Sequence, residues 1–186
     1  MLYTRKGDGG TTKTFGCDQR ISKSSARAEA LGGLDEINSF LGLVKVLSAN
    51  AKVSIEIDGN LVTFESIVHG VQETLFIIQA EVAGFPKGLA EEKVKRVEQI
   101  IDTAEKMLPP IKSFFISGGT ELAAKFDFAR TIARRAERRV VQVHEEGTLV
   151  GPTTLAYLNR LSSLLYALAR LSNHLSGITE TPPSYS

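Results

Sequence analysis

Residues 122–143 constrain the fold of this chain more than any other segment, because they combine an unbroken apolar helical period with a dense cluster of arginines. At about 100° per residue, the apolar side chains fall on one broad arc: Leu122, Phe126, Ala129, Ile132, Ala133, Ala136, Val140 and Val143. The neighbouring arc carries charged side chains: Arg130, Arg134, Glu137 and Arg138. The pattern predicts a helix that packs by one side and presents guanidinium groups on another.

Residues 130–139 (RTIARRAERR) hold five arginines and one glutamate, a local net charge of +4 in a chain whose formal net charge is +1. Like charges within three helical turns repel one another unless an anion lies among them. Guanidinium groups stay charged and present a planar fork of donors that suits phosphate oxygens. We therefore predict a polyphosphate site here. A solvated surface face is the alternative, and Arg135 and Arg139, which point away from the other arginines, fit it.

Length and composition predict one soluble domain spanning residues 1–186, with 42% hydrophobic and 23% charged residues. The small net charge argues against general binding to nucleic acid or to a membrane surface. No apolar run approaches the ~20 residues that span a bilayer, and we expect no signal peptide. The single cysteine, Cys17, fits a reducing compartment, so we expect a cytoplasmic protein.

Apolar spacing and capping residues predict five helices. They run from a cap at Ser24 to about Ser48, from about Leu61 (after a cap at Asp58) to Val82, from Ala90 to Met107, from a cap at Thr120 to Glu145, and from Pro152 to His174. Residues 1–25 are expected to be a loop that becomes ordered on ligand binding, and residues 175–186 a flexible tail. Residues 53–57 are only weakly strand-like. Short connections over residues 26–174 favour an all-α, up-down five-helix bundle.

Residues 4–12 (TRKGDGGTT) are a second candidate for anion binding. Glycines let backbone amides converge on an anion, and the hydroxyl groups and Lys6 add further donors. The spacing is not that of a Walker A loop. On composition alone, a frayed chain terminus is the alternative.

The last predicted helix carries leucines on one face and Asn159, Ser163, Tyr166 and Arg170 on the other. Asparagine in mid-helix costs a few tenths of a kcal/mol relative to alanine, so its position beside serine and tyrosine indicates a polar pocket. An exposed polar face fits the same pattern equally well.

Asp35, Glu36 and Asn38 on the first predicted helix form a third candidate group. Either an aspartate there pairs with the arginines, or the group is ordinary solvated surface. The three histidines have no ligand spacing, and neither a nucleophile elbow nor a dinucleotide fingerprint occurs. We expect no protein-bound zinc or flavin.

Four stretches together resemble the PduO-type ATP:cob(I)alamin adenosyltransferases, also called corrinoid adenosyltransferases. In chain order they are TRKGDGGTT, RAEALGGLDEINSFLG, FFISGGTELAAKFDFARTIARRAERRVV and YLNRLSSLLYALAR. Any one alone is weak, but four in the family's order, spanning Thr4 to Arg170, are specific. Residues 50–112 match the family only in their helical pattern and carry none of these motifs.

The resemblance implies transfer of the 5′-deoxyadenosyl group of ATP to the Co(I) of a reduced corrinoid such as cob(I)alamin, with release of triphosphate and formation of adenosylcobalamin. It implies Mg-ATP as co-substrate, a homotrimer with active sites between subunits, a cob(II)alamin reductase and an adenosylcobalamin-dependent mutase as partners. Two alternatives stay open: an ATP-binding sensor without catalysis, and a helical assembly protein whose arginines make inter-subunit ion pairs.

The resemblance also assigns roles to individual residues of this chain. It implies nucleotide contacts for Thr4, Arg5, Lys6, Gly7, Asp8, Thr12, Lys23, Arg134, Arg135, Glu137, Arg138 and Asn159. Glu137 would lie near the magnesium ion. It assigns catalytic roles to Arg130, Arg134 and Asp35, with Asp35 as the ion-pair partner of Arg130. It assigns corrinoid contacts to Phe114, which would close over the corrinoid and keep its lower base off, and to Tyr166.

The chain departs from the family's common pattern at four positions: Ser117 for proline, Asp127 for histidine, Ser163 for aspartate and Tyr166 for phenylalanine. Ser163 is predicted to share a side with Asn159, so that departure is expected to alter nucleotide or corrinoid affinity.

Overall fold

A computed structural model describes residues 3–14, 19–86 and 88–185, and within these ranges it shows five helices and two short antiparallel hairpins. The helices are α1 (Ala26–Ala51), α2 (Phe64–Val82), α3 (Glu91–Met107), α4 (Glu121–Glu145) and α5 (Pro152–Leu175). The strands are β1 (Thr11–Lys13), β2 (Arg20–Ser22), β3 (Ser54–Ile57) and β4 (Asn60–Thr63), which pair as β1–β2 and β3–β4. The five predicted helices are therefore confirmed.

The apolar sides of the helices form one core, in which α4 packs against both α1 and α5, α1 against α2, and α3 against α5. All eight apolar residues of the predicted packing side of α4 are buried. Complete burial of a side chain such as Phe126 contributes about 1.5–3 kcal/mol, so this side fixes the rotation of α4 and the direction of its arginines. Among the described residues, no helix has the length and apolar composition that a bilayer span requires.

Two predicted helix caps are wrong, each for a local reason. The Ser25 hydroxyl, not that of Ser24, accepts from the backbone N–H of Ala28 at the start of α1. Thr63, not Asp58, caps α2. Asp58 instead occupies the β3–β4 turn with a φ of 52°, followed by a glycine at 76°. This Asp-Gly pair is typical of a two-residue hairpin turn, which makes residues 60–63 a strand rather than the first turn of α2.

The predicted loop over residues 1–25 contains a hairpin, so that expectation is wrong for β1 and β2. Thr11 pairs with Ser22, and the backbone carbonyl of Thr11 also accepts from the guanidinium of Arg20 at 2.7 Å. The same guanidinium donates to the carbonyl of Lys6. Cys17 lies outside the described residues.

Part of the predicted flexible tail is bound to the bundle, so that expectation is wrong for residues 178–181. The Glu180 carboxylate accepts from Nε of Arg170 at 2.8 Å. The backbone N–H of Ile116 donates to the carbonyl of Thr181 at 2.9 Å. Residue 116 belongs to the segment that joins α3 to α4 (residues 108–120), which we call the connector. The tail is therefore hydrogen-bonded to the connector.

Candidate functional site

A cleft of about 640 Å³ opens between α4, α5 and the connector, and we call it the α4–α5 cleft. Its volume lies within the range of small-molecule sites. The lining side chains come from all three segments: Ile111, Lys112, Ser113, Phe114, Phe115, Ser117, Asp127, Arg130, Arg134, Ser162, Ser163 and Tyr166. Helical spacing of three and four residues places the charged members from α4 on one side.

A second cavity of about 330 Å³ lies on the same side of α4, and we call it the arginine cavity. It is lined by Arg134, Glu137, Arg138, Val141, Gln142, Glu145 and Asn159. The amide of Asn159 donates to the Glu137 carboxylate at 3.1 Å, which links α5 to α4. Arg134 lines both cavities, so its guanidinium stands where they meet.

The structure therefore brings together four of the five nucleotide-binding residues expected on α4 and α5. Arg135 is the exception, because its guanidinium lies 2.5 Å from the Glu36 carboxylate of α1, on another side of α4. Both side chains are about half exposed (51% and 50%), which is typical of a surface ion pair. A nucleotide contact of Arg135 stays a prediction.

Arg130 is held by a carboxylate, but not by the one that the family resemblance implied. Its Nε lies 2.6 Å from Oδ1 of Asp127, one turn earlier on α4. Asp35 is exposed and makes no ion pair with any described residue. Gly33 of α1 packs against Ala136 of α4. Asp35 follows two residues later, which is about 200° around the helix axis, so the Asp35 side chain points away from α4. Asp35 and Arg130 therefore do not pair within one chain, and their pairing across the subunit boundary that the resemblance implies stays a prediction.

Asp127 and Ser117, two departures from the family pattern, contact each other. The Ser117 hydroxyl donates to Asp127 Oδ2 while Arg130 occupies Oδ1. Burial raises the pKa of the Asp127 carboxyl, but the hydrogen bonds from Arg130 and Ser117 outweigh it and hold the pKa below its ordinary 3.8. The carboxylate thus stays charged and orients Arg130 in the cleft. Sequence reasoning missed this role, although the i, i+3 spacing of aspartate and arginine was a signal for it.

Phe114 and Tyr166 face the α4–α5 cleft from the connector and from α5. Phe114 is 80% exposed, so its ring is accessible to a ligand that enters the cleft. Burial raises the pKa of the Tyr166 hydroxyl, so Tyr166 stays neutral. Ser163 lines this cleft whereas Asn159 lines the arginine cavity, so the two do not share one pocket.

The N-terminal candidates form a compact group of turns. The N–H of Asp8 donates to the carbonyl of Arg5 at 3.2 Å, and the Lys23 N–H donates to the carbonyl of Gly10 at 2.9 Å. The Lys23 ammonium crosses close to Gly7, where a Cβ would lie 3.1 Å from Nζ. The structure therefore brings the turns at residues 5–10 and Lys23 together.

Of the remaining N-terminal candidates, Thr4 and Lys6 belong to the same group of turns, where the Lys6 N–H donates to the Thr4 hydroxyl at 3.4 Å, and Thr12 lies in the following strand, β1. Neither the α4–α5 cleft nor the arginine cavity is lined by residues 4–12. Within one chain, the two halves of the predicted nucleotide site stay separate.

Among the described residues, no group of three or more histidine, cysteine, aspartate or glutamate side chains is arranged so that it could hold a metal ion. In the arginine cavity, Glu137 supplies a carboxylate beside Asn159, with Glu145 also on the wall. One or two carboxylates suit a magnesium ion whose other ligands are phosphate oxygens and water. The donor set therefore fits a metal that arrives with a nucleotide.

A helical bundle with an arginine cavity beside a wide, aromatic-walled cleft has the features of the class of proteins that bind small molecules. The family model for cobalamin adenosyltransferase matches residues 2–172, and the chain belongs to this family. The corrinoid adenosyltransferase PduO of Citrobacter freundii is 38% identical over 180 residues, 93% of this chain and 50% of the relative. The chain thus spans about half the length of that relative.

A second relative and a solved structure agree along nearly their whole lengths. The corrinoid adenosyltransferase of Bacillus subtilis is 37% identical over 181 residues, 95% of this chain and 89% of the relative. The fold matches a variant of the PduO-type ATP:corrinoid adenosyltransferase from Lactobacillus reuteri, solved with cobalamin and ATP. The TM-score is 0.86 at 29% identity, with 100% of this chain and 98% of that chain covered. The resemblance stated from the four sequence stretches is confirmed.

Proposed function

We propose that this protein transfers the 5′-deoxyadenosyl group of ATP to the Co(I) of a reduced corrinoid, releases triphosphate and forms an adenosylated corrinoid such as adenosylcobalamin. The observation that carries the proposal is that Arg134 lines both the arginine cavity and the α4–α5 cleft. A triphosphate in the first and a corrinoid in the second would meet at this side chain. The solved L. reuteri relative, which holds cobalamin and ATP, supports the same pairing of ligands.

The chain needs no nucleophile of its own, because Co(I) supplies the electron pair that attacks the 5′ carbon of ATP. The bond from that carbon to the triphosphate oxygen breaks, and the triphosphate leaves with both bonding electrons. Arg134 and Arg138 would stabilise the charge that grows on the leaving group, in a cavity that both side chains line. Holding both substrates at one junction also removes the entropy cost of bringing them together.

Magnesium would add charge stabilisation on the phosphates when it is bound. Glu137 would hold it, with the amide of Asn159 donating to Oε1 at 3.1 Å and so fixing the orientation of the carboxylate. Arg130, oriented by Asp127, would complete the cationic wall between the phosphates and the corrinoid.

The α4–α5 cleft would receive the corrinoid. Phe114 and Tyr166 offer aromatic surface for the macrocycle. The residues that line this cleft include no histidine, cysteine or methionine that would ligate cobalt from below. A cobalt ion without a lower ligand is easier to reduce from Co(II) to Co(I), and we propose that a separate cob(II)alamin reductase supplies the electron. A mutase that depends on adenosylcobalamin would receive the product.

We further propose that the site is completed by the N-terminal segment of an adjacent copy, in a homotrimer of up-down bundles. Residues 4–12 line neither cavity of their own chain, which supports a role across a subunit boundary. Leu43, Val46 and Phe76 on α1 and α2 are 57%, 60% and 62% exposed, a surface typical of subunit contacts. Light scattering should give three times the chain mass of 20.2 kDa, and a monomer would contradict the trimer.

An anaerobic spectrum of cob(I)alamin, protein and Mg-ATP tests the proposed reaction directly. We expect the Co(I) absorption to disappear as a light-sensitive alkyl-cobalt product forms, with one triphosphate released for each cobalt alkylated. A heat-denatured sample and a sample with a non-hydrolysable link at the 5′ carbon are the controls. If ATP raises the melting temperature while Co(I) persists, the chain is an ATP-binding sensor instead.

A further inference from the structure

Arg170 of α5 is the most buried arginine in the described part of the chain, at 5% exposure, and it contacts two other segments, the tail and the connector. Its Nε donates to the carboxylate of Glu180 in the tail at 2.8 Å. Its Nη2 donates to the carbonyl of Pro109, at the start of the connector, at 3.4 Å. The guanidinium also lies over the ring of Phe115, 4.9 Å from its centroid. We call these contacts the Arg170 junction.

The tail contributes a charge partner and a backbone acceptor to this junction. Glu180 is itself only 16% exposed, so the ion pair is largely withdrawn from water. A buried ion pair gains little net stability, because desolvation offsets much of the attraction, but it fixes the relative position of the groups it joins. The carbonyl of Thr181 adds a hydrogen bond from the N–H of Ile116 at 2.9 Å.

The connector presents its other side to the α4–α5 cleft. Phe115 lies against the Arg170 guanidinium and also lines the cleft, next to Phe114, which is 80% exposed there. Two residues further on, Ser117 donates to Asp127, the carboxylate that orients Arg130. The tail therefore contacts the same short segment whose aromatic side chains line the cleft.

The end of the connector is held by a different residue, which localises the effect of the tail. The side-chain amide of Asn173 donates to the carbonyl of Gly118 at 3.0 Å and accepts from the N–H of Thr120 at 3.0 Å. These bonds do not involve the tail. Loss of the tail should therefore free residues 109–116 and leave the start of α4, with its arginines, in place.

We propose that residues 178–181 are a positioning element that, through the Arg170 junction, sets the affinity of the α4–α5 cleft for the corrinoid without changing the affinity for ATP. This inference rests on the proposed function. Glu180 touches neither cavity that would hold ATP or the reacting atoms, so it acts through Arg170, Phe115 and the connector. The tail is thus a specificity element for one of the two substrates.

Two variants test the proposal: Glu180→Ala, and a chain that ends at Gly177. Glu105→Ala, which removes an exposed glutamate of α3, is the matched control. Steady-state kinetics with cob(I)alamin and with ATP varied in turn give both KM values. We expect the corrinoid KM to rise about fivefold to tenfold in both tail variants, while the ATP KM stays within about twofold of wild type. Equilibrium binding of cobalamin to the ATP-loaded protein should weaken by the same factor.

Amide hydrogen exchange provides a readout that needs no ligand. The N–H of Ile116 loses its acceptor when the tail is removed, so its exchange should accelerate at least about tenfold, while amides of α4 keep their protection. Glu105→Ala should leave the exchange at Ile116 unchanged.

The outcomes separate the two proposals. An active wild type whose corrinoid KM is unaffected by either tail variant overturns the positioning role. Parallel losses of corrinoid and ATP affinity with a lower melting temperature also overturn it, because the tail would then stabilise the whole bundle. A wild type that neither binds cobalamin nor alkylates it refutes the proposed function and the corrinoid role with it, whereas the exchange at Ile116 would still report whether the tail holds the connector.

Discussion

Two arginine-containing regions of this bundle differ in how their charge is compensated. On α4, Arg134 and Arg138 stand in a cavity and make no ion pair with any described residue. On α5, Arg170 is buried and its charge is matched by Glu180. A guanidinium without an ion-pair partner can bind an anionic ligand reversibly. A guanidinium with a buried partner instead joins segments of the chain. Arg130 lies between these cases, since Asp127 holds it in place while it still lines the cleft.

The largest effect on stability is expected at the buried arginine. Arg170→Ala removes the partner of Glu180, the contact with Phe115 and a donor to the connector, so the free energy of unfolding should fall by about 3 kcal/mol. Urea denaturation followed by circular dichroism measures this change. A loss below about 0.5 kcal/mol would show that the tail and connector do not depend on Arg170 for their positions. The stated difference between Arg170 and the arginines of α4 would then be wrong.

The largest effect on activity is expected at the shared arginine. Arg134→Ala should lower kcat/KM for ATP at least tenfold, about 1.4 kcal/mol of transition-state stabilisation, with an unchanged melting temperature. Arg134→Lys should recover little, because the forked geometry is lost. Arg139→Ala is the matched control, since Arg139 is exposed on α4, lines neither cavity and donates a hydrogen bond to Gln142 on its own helix. Equal rates for Arg134→Ala and the control would remove this side chain from the mechanism.

A smaller effect is expected where an arginine is positioned by its own helix. Asp127→Asn should lower kcat/KM about threefold to tenfold, because Arg130 loses its charged partner while remaining in the cleft. Asp127→Glu, which restores a carboxylate, should recover part of the rate. If Asp127→Asn is as active as wild type, Arg130 does not need this orientation.

The lowered pKa of Asp127 also predicts how stability depends on pH. A carboxyl whose folded pKa lies below its unfolded value stabilises the fold fully above the unfolded value and loses that contribution as pH falls through the folded value. Wild type should therefore lose stability more steeply than Asp127→Asn below about pH 4, since the ordinary pKa is 3.8. Melting temperatures measured from pH 6 down to pH 3 test this, and parallel curves would contradict it.

The smallest effect is expected at the surface pair of α4 with α1. Glu36→Ala breaks the contact with Arg135, in which both side chains are half exposed, and should cost no more than about 1 kcal/mol. If it instead lowers ATP turnover as strongly as Arg134→Ala, Arg135 belongs to the nucleotide site despite facing α1.

The sequence predicted the helices well because their information is local. The apolar period of α4 and the capping Thr120 determine that helix within its own residues, and both were confirmed. The β3–β4 hairpin was predicted only in part: residues 53–57, which contain β3, are weakly strand-like, but Asp58 was assigned as a helix cap instead of a turn residue, so β4 was missed. Its strands are stabilised by pairing with each other, and this pairing cannot be predicted from helical periodicity.

The site was predicted in part for the same reason. The cluster of Arg134, Glu137 and Arg138 follows from helical spacing, but the partner of Arg130 depends on which residue stands at position 127 of this chain. The Arg170–Glu180 pair requires the chain to reverse after α5 and to return along it, and neither periodicity nor composition encodes that reversal.

The position of Arg134 at the boundary of two cavities has a thermodynamic consequence. Under the proposed function, whichever substrate binds first would restrict the rotamers of this side chain, so the second would meet a guanidinium that has already lost that freedom. Each substrate should then tighten the binding of the other by an identical factor, since such linkage is reciprocal. If the proposed function holds, this long side chain, which has no ion-pair partner among the described residues, would make turnover depend on the presence of both substrates together rather than of either alone.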